Sequence, residues 1–409
     1  MLFQEINPSP RTLMTPGPVE TDPRVLRAMS AHILGQFDPE FLALMAETQE
    51  MERLVFQTSN PQTFLVDSTS RGGLETVLTA AICPGDKVLI PAFGRFGYLL
   101  AEILERCGAD ITLLEREWGT VFTPEEVEEA LKKHSYKAVA IIHGETSTSM
   151  MQPLEEIGQI CKRYGALLLV DVVATLGGAE VKVDQWQIDG CVAGTQKCIS
   201  APSGSALVTY NAAIEKIIAQ RKQVEKGIRT EADTAAKLAP IPSNYLDLAQ
   251  LQDYWGPRHL NHHTEATSMQ YAVHEALRCI VTEGLEARLA RHKRNDEALS
   301  AGLTAMGLDI FGNVQHKMPV VTAIVIPQGA SGPAIRGQLL QDFGIEIATS
   351  FGPLDGKILR IGNMGYSSQK RNILLLLGAL EAVLLQNGCK IPAGEAVAAA
   401  LAVYAAQKQ

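Results

Sequence analysis

The chain of 409 residues has no block of consecutive basic residues, no CxxC pair and no apolar run long enough to cross a bilayer. Each absence removes a class of function. With a net charge of −9 and no basic block there is no electrostatic footprint for nucleic acid or an anionic membrane, so a small-molecule substrate is expected. The seven cysteines, Cys83, Cys107, Cys161, Cys191, Cys198, Cys279 and Cys389, are scattered among apolar neighbours. That usage suits core positions in a reducing compartment better than zinc ligands or a disulfide frame. Residues 1–11 carry Glu5 and two prolines where an export signal needs a basic start and an apolar run. The apolar segment 373–385 is interrupted by Glu381, and the ending Gln407-Lys408-Gln409 is not a peroxisomal address. A cytoplasmic location is the expectation.

What is present is ordinary for a globular enzyme: 46% apolar and 20% charged residues, on a chain long enough for two domains. Short apolar runs at 87–90, 111–114, 138–143, 166–170 and 206–210 alternate with amphipathic stretches at 96–106, 124–133 and 154–164. This alternation predicts an α/β unit with a mostly parallel sheet covered on both faces, and ligands at the carboxyl ends of its strands. A single long helix over 271–294, with Gly284 near its middle, leads into a smaller α+β unit. There the expected strands are 320–326, 345–348 and 358–361, the expected helices 333–342 and 369–386, and the Ala-rich tail 393–406 reads as helical. The division is an amino-terminal arm 1–20, a large domain 21–275 and a small domain 276–409.

Four features could carry chemistry. Asp171 closes the apolar run 166–170, where an ionised carboxylate is costly unless something cationic or hydrogen-bonding meets it. A protonated pyridine nitrogen would serve; so would a helix start or a core ion pair. Lys197 follows the apolar run 191–193 and precedes Ala201-Pro202-Ser203-Gly204, a setting that desolvates an amine and favours its neutral, nucleophilic form. Taken alone it also fits a surface lysine with a buried stem. Together, a carboxylate and a lysine at two strand ends bracket one small ring, which is what pyridoxal phosphate needs. Asp67-Ser68-Thr69-Ser70-Arg71-Gly72-Gly73 supplies hydroxyls, backbone N–H groups and the cation of Arg71 at a strand-to-helix turn, fit for a phosphate or for a plain capped helix. Arg360, flanked by apolar residues in a strand, needs an anion: a substrate carboxylate or a structural partner. His259, His262, His263 and His274 raise a metal reading, which is set aside because no Cys completes a ligand set and His262 and His263 point to different faces of an expected helix. Glu265 then reads as a first-turn helix charge.

Collected, these pieces resemble the class V aminotransferases of fold type I. The resemblance rests on Thr15-Pro16-Gly17-Pro18, Phe56-Gln57-Thr58-Ser59-Asn60-Pro61, His143-Gly144-Glu145-Thr146-Ser147-Thr148, Val170-Asp171 with Leu176-Gly177-Gly178, Gln196-Lys197, and His262-His263-Thr264. It implies pyridoxal 5'-phosphate as cofactor and a homodimer with active sites at the subunit interface. It further implies that Lys197 condenses with the cofactor aldehyde and moves the substrate proton, and that Asp171 pairs with the ring nitrogen. Thr69, Ser70 and Gln196 would hold the phosphate with Arg71 beside them, and Thr264 would reach it from the partner subunit. Thr146 would lie on the phenolic side, Phe96 would stack on the ring, and Arg360 and Gly17 would meet the substrate.

Two positions depart from the commoner pattern of the family. Gln36 and Asn261 place amides where alanine–glyoxylate enzymes use other side chains, and in this they are similar to the (S)-ureidoglycine–glyoxylate aminotransferases of purine catabolism. An amide offers both donor and acceptor to a ureido group. The expected activity is therefore transfer of an amino group from ureidoglycine to glyoxylate. Alanine–glyoxylate or serine–pyruvate transfer is the nearest rival. A desulfurase would need a reactive Cys in a late loop, and a non-catalytic metabolite binder on the same fold would leave Lys197 unreacted.

Overall fold

The computed structural model describes residues 3, 5–231, 233 and 235–406, so the ending 407–409 lies outside it. Seven strands make the central sheet: β1 Gln62–Val66, β2 Lys87–Ala92, β3 Asp110–Glu115, β4 Ala138–Ile142, β5 Leu167–Asp171, β6 Gly190–Gly194 and β7 Ala206–Tyr210. They lie side by side as β1-β7-β6-β5-β4-β2-β3 and run one way, save β7, which is antiparallel to both neighbours. Every residue of β4, Ala-Val-Ala-Ile-Ile, is buried, as a strand covered on both faces demands. At the edge, β3 is only partly buried. The connection from β2 steps one way to β3 and then back past β2 to β4, so the sheet reverses direction there, and the crevice beyond those strand ends is where a ligand fits.

The second unit carries a three-stranded antiparallel sheet, with β8 Val321–Val325 and β9 Ala348–Thr349 on either side of β10 Ile358–Gly362. The expected strand 345–348 divides between two sheets: Ile345–Glu346 pairs in parallel with Thr12–Leu13, while Ala348–Thr349 joins β10. The amino-terminal arm is thereby pinned to the second unit. A further correction concerns the long helix 271–294. It is two helices, Thr267–Glu283 and Leu285–Ala305, separated by Gly284 at φ +84°, a left-handed conformation that glycine adopts without a Cβ penalty. One apolar core runs from Val25 to Ile280 around the large sheet, and another joins Met14 to residues between Ala298 and Tyr404. Among the described residues no helix is long and apolar enough to cross a membrane.

Candidate active site

Five strand ends deliver side chains to one cavity of about 250 Å³. After β1 comes Thr69, the residue before the helix Ser70–Ala81, whose hydroxyl makes no capping bond and is free for a ligand. Ser70 Oγ and the Gln196 side chain bond each other at 2.7 and 2.9 Å, tying the turn after β1 to the turn after β6. Arg71 lines the cavity from an exposed position. Beyond β2 the half-buried Phe96 opens the helix Arg95–Arg106 and forms an apolar wall with Leu74 and Leu99. Thr146 follows β4, Asp171 ends β5, and Lys197 follows β6. Eight of the thirteen residues expected from the sequence therefore line this one space.

Burial sets the electrostatics. Asp171 is 6% exposed; its Oδ1 accepts the Val173 N–H at 2.8 Å. Desolvation pushes its carboxyl up to about 7 against that hydrogen bond, and the nearby Glu145 adds to the rise. Lys197 sits at φ −110° and ψ −130° within the otherwise helical turn Thr195–Ile199, which turns its side chain back over the cavity. Desolvation lowers its amine to about 8, helped by the positive charge of Arg360 and opposed by Asp171 and Glu145. The acid and the amine thus feel each other across one cavity. Nζ donates to the Pro16 carbonyl. A Cβ on Gly17, at φ +111°, would fall 2.5 Å from Nζ, so the arm can pass Lys197 only as glycine.

Arg360 stands behind this wall, 4% exposed. Its Nη1 donates to the Thr146 carbonyl at 2.8 Å, and Nε and Nη2 donate to the Thr349 carbonyl at 2.9 and 2.6 Å. Backbone carbonyls, not a carboxylate, are its partners within the chain. Phe351 is stacked between two guanidinium groups, 4.6 Å from Arg360 and 4.4 Å from Arg95. Glu145 is a site neighbour that sequence reasoning quoted without a role. Fully buried, it accepts the Phe96 N–H at 2.8 Å and the Ser147 N–H and hydroxyl at 2.9 and 2.6 Å, capping the helix that presents Phe96. Its signal was present: like Asp171, it is a carboxylate just beyond an all-apolar strand.

Three expected residues lie elsewhere. Gln36 Nε2 donates to Asn261 Oδ1 at 2.6 Å, and this pair and Thr264 occupy a separate, solvent-facing edge rather than the cavity wall. The helix expected around His262 and His263 is absent: residues 257–266 are irregular, and helix begins only at Thr267. His262 and His263 do not diverge but meet, Nδ1 to Nδ1, at 2.8 Å. Nor is Glu265 a first-turn surface charge, since it is 5% exposed and bonded to Gln270 at 2.8 Å. The single proline, glycine and three histidines of 256–263 resist helix more strongly than the spacing suggests.

The family model for class V aminotransferases matches residues 25–354. The chain belongs to this family. A curated (S)-ureidoglycine–glyoxylate transaminase of Bacillus subtilis is 57% identical over 396 residues, 96% of this chain and 95% of the relative. The alanine–glyoxylate aminotransferase of Callithrix jacchus is 34% identical, over 94% of this chain and 90% of its own length. Among solved structures, a ureidoglycine–glyoxylate aminotransferase from Bacillus subtilis superposes with a TM-score of 0.93 at 54% identity, covering 98% of this chain and all of that one. The fold is that of the type I aminotransferases, as the resemblance implied, and its mostly parallel sheet is what the strand alternation predicted. All seven cysteines are free; Cys279 lies within the helix Thr267–Glu283, and Cys389 lies in the connection after the helix Lys370–Gln386.

Proposed function

We propose that the chain transfers the amino group of (S)-ureidoglycine to glyoxylate, using pyridoxal 5'-phosphate held between Lys197 and Asp171, as a cytoplasmic homodimer. The residues fit the cofactor. A carboxyl raised to about 7 by burial is an acid in want of a cation, and a protonated ring nitrogen would restore its charge. The uncapped helix start at Thr69, with Ser70 and Gln196 beside it, suits a phosphate. Phe96 supplies an aromatic face.

When bound, the cofactor supplies an aldehyde that takes up amino nitrogen and a ring that withdraws electrons from the substrate carbon. The chain does the rest. Lys197 Nζ, neutral in a sizeable fraction of molecules near pH 8, accepts the substrate Cα proton and returns it to the neighbouring carbon. Asp171 holds a proton on the ring nitrogen. Arg360 retains guanidinium hydrogens beyond those bound to Thr146 and Thr349, and these take the substrate carboxylate and orient the Cα–H bond toward Nζ. The small domain 276–409 carries Arg360 against the large domain 21–275, with Gly284 near the junction and the arm 1–20 across Lys197.

The donor assignment rests on one observation above all: Gln36 and Asn261 hydrogen-bond each other at 2.6 Å on an exposed edge, in a chain 57% identical to a ureidoglycine enzyme. A ureido group can replace that mutual bond with one to each amide. A second copy covering the edge would carry Thr264 to a phosphate and the amides to a substrate. The exposed Leu26, Ile33 and Phe37 give that interface apolar area. The cofactor-loaded chain, mixed in turn with (S)-ureidoglycine, alanine and serine, should lose its aldehyde absorbance fastest with ureidoglycine. Faster reaction with alanine or serine overturns the donor assignment.

A further inference from the structure

Sixty-seven residues into the chain, immediately before the turn that faces the cavity, Asp67 reaches into the loop 256–266. Its Oδ2 lies 3.3 Å from His263 Nε2, and Glu265 Oε1 lies 3.8 Å from the same nitrogen. One ligand atom from each of the three residues falls within 4.8 Å of the others. His263 Nε2 and Asp67 Oδ2 are in hydrogen-bond contact, and the same Oδ2 accepts the Ala266 N–H at 2.6 Å. On its other side His263 Nδ1 meets His262 Nδ1 at 2.8 Å, and His262 Nε2 faces the Asn244 carbonyl at 3.4 Å.

The separations of His263 Nε2 from the two carboxylates are long for charge-assisted hydrogen bonds, which run about 2.7–2.9 Å. They match the spacing of adjacent ligands on one metal, roughly 3–4 Å for bonds near 2.0–2.2 Å. Independent of the three residues, Tyr254 points the same way. It is 1% exposed and packs its ring 5.4 Å from that of His263. Its hydroxyl approaches Glu265 yet has no partner with hydrogen-bond geometry. Asp67 Oδ1 and Gln270 Oε1 are likewise buried and unpartnered, so several oxygen lone pairs beside His263 are left without a donor.

We propose that Asp67, His263 and Glu265, with the Tyr254 hydroxyl, form a Zn2+ site that clamps the loop 256–266 to the turn leading into Ser70–Ala81. The donor set, one imidazole nitrogen with oxygens, suits zinc, and His262 is the outer partner that orients the ligating ring. The clamp would order the segment carrying Asn261 and Thr264.

The test uses the full-length, cofactor-loaded chain, dialysed against Zn2+ and then against metal-free buffer. Elemental analysis should find about one zinc per chain, and calorimetric titration should show at least tenfold weaker binding for Glu265→Gln and for His263→Ala. His134→Ala, which removes an exposed histidine, should change nothing. Circular dichroism identifies any variant that does not fold. Independently of the variants, Zn2+ should raise the melting temperature of the unsubstituted chain by several degrees, reversed by chelator. The proposal is overturned if the melting temperature is unmoved, if the chain retains no more zinc than folded Glu265→Gln, or if His134→Ala removes the zinc.

Discussion

Asp171 and Asn261 are both polar side chains with a reading in the same reaction, yet they occupy opposite environments. Asp171 is 6% exposed, lines the cavity and has its carboxyl pushed up to about 7. Asn261 is exposed and bonded to Gln36. In the interior, the surroundings shift protonation: desolvation makes an amine less basic and an acid less acidic, at a cost in folding free energy. On the edge, the proposed selectivity would rest on the direction of neutral hydrogen bonds, which cost little to keep in water and discriminate only when a substrate or a second copy excludes that water. Chemistry and selectivity should therefore be separable by mutation.

The strongest attempt to break that separation is Lys197→Ala. If Lys197 moves the substrate proton, removing its amine should lower kcat by about 10⁴-fold with any donor, measured in single-turnover mixing. A loss under tenfold would move the proton transfer to another group. Next in size, Asp171→Asn should lower kcat by roughly 10²–10³-fold, as for loss of one preorganised electrostatic group. The same change should stabilise the cofactor-free chain. The folded carboxyl titrates near 7, above its ordinary 3.8, so folding loses stability as pH rises from about 4 through 7. Asparagine should thus raise stability by an amount on the order of 4 kcal/mol at pH 8 and by little at pH 4, read from denaturant melts. Equal gains at both pH values would mean that the cost is steric rather than ionic.

On the edge, Asn261→Tyr and Gln36→Ala should each shift the preference for ureidoglycine over alanine by roughly 10–100-fold in kcat/KM, with cofactor absorbance and melting temperature held nearly constant. A change in kcat for every donor alike would instead join this edge to the catalytic cavity.

The same contrast explains what could be read in the chain. Asp171 and Lys197 are legible because charge beside an apolar strand is improbable without a purpose, and the strand pattern says which end of the sheet they share. Glu145 had that signal too, but its partners, the N–H of Phe96 and the group of Ser147, depend on how two loops meet. The break at Gly284 is half visible in the sequence: the glycine stands out, but helical spacing continues on both sides and gives no sign of φ +84°. Gln36 and Asn261 carry no burial signature and became informative only through resemblance to a family. Asp67 and His263, 196 positions apart, share no local pattern, and only the fold brings them together.

Glu52 provides the smallest and most exacting comparison. It lies on the helix Pro39–Phe56, fully buried, with neither carboxyl oxygen hydrogen-bonded. Desolvation holds its carboxyl well above the usual range, and the positive charge of Arg53 only partly opposes this. It has the burial of Asp171 without a cavity, so it incurs the same desolvation cost with no chemistry in return. Glu52→Met should leave kcat and KM unchanged and raise stability by about 1–3 kcal/mol, since an apolar side chain removes two unsatisfied atoms. The sign with pH follows from a raised folded value: the wild-type acid is tolerated below its unfolded pKa and destabilises as pH rises, so the gain should be greater at pH 8 than at pH 4. A methionine variant that melts lower at both pH values would mean that those oxygens have donors, and that burial alone does not distinguish a working acid from an idle one.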